Sequence, residues 1–97
     1  MAEHTMTADD VSTGKLQLIA GEVLTVHVQG FNLLELISDG TAELWYTTGD
    51  RAPEVGGRHC FYLPGGAVVA DDRRAVIGTR TLQLISTGTP TIVLQRG

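Results

Sequence analysis

The sequence predicts an all-β fold: a small antiparallel β-sandwich or barrel of about eight strands, preceded by a flexible N-terminal arm. Three observations carry that expectation. Apolar residues alternate with polar ones in run after run, which is the period-two mark of half-buried strands. Turn-forming residues separate the runs at short intervals. No segment places its apolar residues at helical spacing.

Taken in chain order, residues 1–13 are polar and lack apolar periodicity, so they read as the arm, and residues 14–97 read as one domain. "KLQLIA" sets Leu16 and Leu18 against Lys15 and Gln17. "EVLTVHVQ" puts Leu24, Val26 and Val28 on one face and Thr25, His27 and Gln29 on the other. "FNLLELIS" and "RRAVIG" are apolar on both faces, as strands covered on two sides would be. "AELWYTT" places Ala42, Leu44 and Tyr46 opposite Glu43, Trp45 and Thr47. "RHCFYLP" resumes the sheet after a Gly- and Pro-rich connection, with Cys60 on the Arg58 and Tyr62 face and His59 on the Phe61 and Leu63 face. "TLQLIS" and "TIVLQR" close the pattern. Turns are expected at Ala20-Gly21, Gln29-Gly30, Asp39-Gly40, Gly56-Gly57, Pro64-Gly65-Gly66, Asp71-Asp72 and Gly88-Thr89-Pro90. "LQLI" occurs at both 16–19 and 82–85, the trace a duplicated hairpin would leave and one that chance also produces.

Composition narrows the function. At 97 residues with 42% hydrophobic content the chain holds enough apolar material for a core. Only 19% of residues are charged, which suits a protein partly covered by neighbours. The net charge of −4, with no basic cluster beyond Arg73-Arg74, disfavours nucleic acid as a partner. The N-terminus has neither the charged nor the apolar region of a signal peptide, and no stretch is long and apolar enough for a membrane helix, so no membrane partner is expected. One cysteine allows neither an internal disulfide nor a thiolate zinc cluster.

The candidate chemistry is thin. A Cys-His nucleophile needs thiol and imidazole in contact, whereas an extended "RHCFYLP" sends His59 and Cys60 to opposite faces. "FYLPGG" has something of the Pro-Gly turn of cupin enzymes, but His4, His27 and His59 are far apart and no His-x-His exists, so a metal triad would need assembly from distant strands. Asp9-Asp10 and Asp71-Asp72 lack the alternating oxygen ligands of a calcium loop. No nucleophile elbow or phosphate-cradling glycine loop occurs. The expectation is a protein that is not an enzyme and carries no cofactor, metal or catalytic residue.

Trp45 is the more informative residue. Alternation sets it with Glu43 and Thr47 on the face away from Leu44 and Tyr46, where it either meets another chain or lies under a loop or the arm. The expected interface is this face, Trp45, Glu43 and Thr47, together with Asp9, Asp10 and Val11 of the arm.

Several groups of residues also carry a resemblance. They are Ala42, Leu44, Trp45 and Thr47; Asp50, Pro53, Val55, Gly56 and Gly57; Tyr62, Leu63, Pro64 and Gly66; and Leu84, Ile85, Ser86, Gly88, Pro90 and Thr91. In this order they resemble the small β-sandwich structural proteins of tailed bacteriophages, especially those infecting actinobacteria. The resemblance spans about the last two thirds of the chain, and Arg58-His59-Cys60 departs from the Asp/Asn-rich residues expected after the glycine pair. It implies a virion protein made in the bacterial cytoplasm, a head decoration or minor capsid protein that binds the major capsid protein as a homo-oligomer. A trimer is the expected oligomer, by analogy with the threefold junctions of capsid lattices. The alternatives are a tail or fibre-tip domain that binds another tail protein or a host glycan, and a cupin-like metalloenzyme.

Overall fold

Two long strands organise the chain, and both run straight through places where the sequence suggests a stop. The computed structural model describes residues 2–65 and 74–96. Within these the strands are β1 (Ala2–Met6), β2 (Leu16–Gln17), β3 (Leu24–Ser38), β4 (Leu44–Thr48), β5 (Phe61–Leu63), β6 (Arg74–Ser86) and β7 (Thr91–Arg96). The expected turn at Gln29-Gly30 lies inside β3, and "RRAVIG" joins "TLQLIS" in β6, so candidate runs on either side of Gly30 and Gly78 are single strands. A glycine inside a strand marks a bend or bulge as readily as an end. The expected turn at Asp71-Asp72, the "AVVA" run before it, Gly66 and Arg73 lie outside the described residues. No helix occurs among the described residues, and so none long and apolar enough to cross a membrane.

The bend has a measurable register. β3 and β6 pair antiparallel from Leu24↔Leu84 to His27↔Thr81, then from Asn32↔Thr79 to Ile37↔Arg74. Between those two stretches β3 advances five residues while β6 advances two. The surplus on β3 turns the pair, so that each strand serves two layers. In the first layer β1 pairs with the start of β3, the end of β6 pairs with β4, and β4 pairs with β5. In the second, β2 pairs with β7, β7 with the end of β3, and that end with the start of β6.

The core lies between the layers. Met6, Leu24, Val26, Val28, Leu44, Tyr46, Leu63, Leu82 and Leu84 come from the first layer, and Leu34, Leu36, Ile77, Ile92 and Leu94 from the second. Along β3 every inward residue is even-numbered on both sides of the bend, whereas in β6 the inward set changes from Leu82 and Leu84 to Ile77. The change leaves Val76 outside, 70% exposed. Gly65 allows a close crossing near β4: a Cβ there would lie 2.4 Å from the carbonyl carbon of Ala42.

The expected flexible arm is overturned. Residues 2–6 form β1, parallel to β3 from Ala2↔Leu24 to Met6↔Val28, and Met6 is buried in the core. Glu3 reaches His27 across the pair at 3.2 Å. The next residues are stapled to β7. Arg96 donates from Nε to the Asp10 carbonyl at 2.5 Å and from Nη2 to the Thr7 carbonyl at 2.8 Å, its backbone N–H bonds Val11, and Ser12 bridges Gln95. An edge strand needs only backbone pairing and one anchoring side chain, so its polar sequence hides it. The "LQLI" echo has no structural counterpart, since the first copy gives a two-residue strand and the second the end of β6.

The Asp10 carboxylate accepts the Thr7 backbone N–H at 2.8 Å, while the Asp10 N–H bonds back to the Thr7 carbonyl. Hydrogen bonds from Thr7 hold the Asp10 carboxyl below its ordinary value, with His4 and Arg96 adding a smaller attraction. A depressed carboxyl pKa adds stability that is present above the unfolded-state value and is lost as pH falls through the folded one. An Asp10→Asn variant is therefore less stable than the parent at pH 7, and urea denaturation shows the gap closing as pH drops below about 4. Met6→Ala lowers unfolding free energy by about 2–5 kcal/mol in the same assay, an effect that a loose arm would not give.

Candidate functional site

The long connection between β4 and β5, residues 49–60, is where the sequence concentrates its unusual residues. Its first part folds back over the outer face of its own sheet. The Thr47 hydroxyl donates to the Arg51 carbonyl, Gln83 Nε2 donates to the Gly49 carbonyl at 2.8 Å, and the Gly49 N–H bonds Thr81 at 2.9 Å. Pro53 is buried. These bonds satisfy two polar side chains that the closing loop takes out of water, Thr47 and Gln83.

Trp45 does lie on the face away from Leu44 and Tyr46, outside the core cluster. It is not an open anchor. It is 8% exposed and packs against the Tyr62 ring, with centroids 5.4 Å apart and planes tilted by 49°. Tyr62 is fixed in turn by donating its hydroxyl to Glu43 Oε2 at 2.8 Å. That bond, with smaller help from desolvation and the carboxylate's charge, raises the Tyr62 phenol above its ordinary value. The expectation that Trp45, Glu43 and Thr47 form a free interface is therefore corrected: an aromatic neighbour and the returning loop have taken up their contacts. Asp9, Asp10 and Val11 do not join them. β3 and β6 separate β1 from β4 in the sheet, and the segment holding Asp10 and Val11 is tied to β7. Val11 is exposed there.

The second part of the loop is closed by a thiol. Cys60 Sγ accepts the Glu54 N–H at 3.3 Å and donates to the Glu54 carbonyl at 3.7 Å, and the Gly57 N–H also bonds that carbonyl at 2.9 Å. Gly57 suits the enclosed space, since a Cβ would sit 3.0 Å from the Glu54 carbonyl oxygen and 3.1 Å from the sulfur. The expected extended run "RHCFYLP" is shortened, because pairing begins at Phe61. His59 and Cys60 therefore do not diverge across a sheet. Both line one cavity of about 160 Å³ with Arg51, Glu54, Gly57 and Arg58. They form no nucleophile pair, because the thiol's hydrogen bonds go to the Glu54 backbone.

His27 lies beside Glu3, His4 on β1 and His59 in the loop, so the histidines stay apart. No group of three His, Cys, Asp or Glu side chains is placed to hold a metal among the described residues.

What remains open is the β5 edge. Among the described strands, β5 ends the strand order and has β4 as its neighbour. Phe61 is 58% and Tyr62 51% exposed, with exposed Val55 in the preceding loop. Phe61 also stacks on Tyr46, with centroids 5.2 Å apart and planes 23° apart. Sequence reasoning missed this edge because it located Trp45 and not its cover; the adjacent aromatic pair Phe61-Tyr62 was the available signal, since neighbouring strand residues must face opposite ways and one of them stays out of the core.

No protein-family model, curated protein or solved structure matches the chain.

Trp45→Ala is expected to destabilise the isolated protein by about 3–5 kcal/mol, as a buried Trp does. Chemical denaturation measures it, and a loss below about 0.5 kcal/mol would return Trp45 to the surface.

Proposed function

We propose that the chain is a non-enzymatic structural protein of a tailed-bacteriophage particle, a decoration or minor capsid protein that sits on the head as a homo-oligomer and ties neighbouring major-capsid subunits together. The β5 edge carries this reading within the structure. Among the described strands β5 is a short edge strand with β4 on one side, and Phe61, Tyr62 and Val55 add exposed apolar area along it. That combination suits strand addition or packing against another protein. The phage assignment is supported by the run of strand and turn residues from Ala42 to Thr91 that resembles virion proteins of this kind. Repetition over a particle gives avidity, so a small contact is sufficient for each copy.

The test is to add purified protein to capsids assembled without it, and separately to tails. Saturable binding to capsids is expected. Val55→Asp and Phe61→Asp each reduce occupancy by about tenfold or more, the scale of a lost interface contact. Val55→Asp leaves thermal melting within a few degrees of the parent. Binding to tails alone would make it a tail component. Absence of binding to both would overturn the reading.

A further inference from the structure

We propose that the cavity in the β4–β5 loop is an oxyanion-binding pocket whose ligands are the guanidinium groups of Arg51 and Arg58 and the imidazole of His59. Three observations point there. The first is composition. A chain of net charge −4 with seven Lys and Arg residues places two of its arginines and one of its three histidines around a single cavity of about 160 Å³. The second is that these cations lack partners. Glu54 lines the same cavity, yet neither arginine forms an ion pair with it, and the side chains of Arg51, Arg58 and His59 make no hydrogen bond among the described residues. Arg96 is the contrast, since its donors are used on the Thr7 and Asp10 carbonyls.

The third observation is that the backbone under these residues is held. The Arg51 carbonyl is bonded by Thr47, and the turn leading to Arg58 is closed by Cys60 on both backbone groups of Glu54. Binding an anion therefore orders side chains but no loop, which removes a large part of the usual cost. Guanidinium donors favour planar or tetrahedral oxygen acceptors through charge-assisted bonds. The ligand class is a carboxylate or a phosphate group, and the Glu54 carboxylate limits how much negative charge the pocket accepts. Cys60 acts here as a positioning residue, with no covalent chemistry.

The whole protein, isotopically labelled, is titrated in an NMR experiment with inorganic phosphate and separately with acetate, at ionic strength held constant with chloride. Saturable shifts are expected at Arg51, Arg58 and His59 with at least one anion, and the stronger response identifies the ligand class. Arg51→Gln and Arg58→Gln each weaken binding about fivefold or more without changing the melting temperature, because both residues are exposed. Cys60→Ala weakens binding while the remaining spectrum stays folded. Linear shifts spread over basic residues of the whole surface, or saturable shifts unchanged in both Gln variants, would overturn the pocket. The titration uses no capsid, so its failure is distinct from failure of the virion assignment.

Discussion

The antiparallel pairing of β3 with β6 is the constraint on which every other strand depends. β1 and β7 pair with β3, β4 pairs with β6, and the two remaining strands attach through these. The pair also carries the corner. With five residues of β3 spanning two of β6, one ladder becomes two faces, and the apolar residues of both faces meet in one core. The parity change in β6 follows from the same corner: the surplus on β3 is three residues, an odd number, so with β3 keeping its even-numbered residues inward the inward set of β6 must switch from even to odd. Ile77 is buried and Val76 exposed for that reason and not because of any difference in their hydrophobicity.

The loop after β4 repeats this dependence on a smaller scale. Its start is fixed to the sheet through Thr47 and Gln83, and its end is fixed to itself through Cys60. A loop tethered at both ends by side chain–backbone bonds carries Arg51, Arg58 and His59 in set positions, which a free connection of that length does not do. Trp45, on the same face as Thr47, is 8% exposed and packs against Tyr62 of β5. The loop thus takes the Thr47 and Gln83 side chains out of water and gathers Arg51, Arg58 and His59 around one cavity.

The strands were readable wherever one face was dry and the other wet. The alternation in "EVLTVHVQ", "TLQLIS" and "TIVLQR" gave inward residues that match the core at Leu24, Val26, Val28, Leu82, Leu84, Ile92 and Leu94. The misreadings share a cause, because in each case the deciding partner is remote in sequence. β1 is held by β3 and by Arg96, and nothing within residues 1–13 reports either. Gly30 is a turn residue by type, and only the pairing with β6 carries β3 through it. Trp45 has the outward parity that alternation assigns, but it packs against Tyr62 of the neighbouring strand, a partner its own strand does not report. The loop cavity was partly visible in the cluster around Cys60, though alternation wrongly spread that cluster over two faces.

The strand order has a consequence for the speed of folding. Among the described strands, only β4 and β5 are both consecutive in the chain and paired. Leu24 must find Leu84, and Leu16 must find Ile92, before either half of the core exists. Closing such loops spends chain entropy before any pairing energy returns, so the chain belongs with domains that fold in roughly milliseconds to seconds and not in microseconds. During that interval both long strands have unsatisfied edges. A high local concentration of nascent copies then favours pairing between chains over pairing within one, and the yield of native protein is set by the rate at which β3 captures β6.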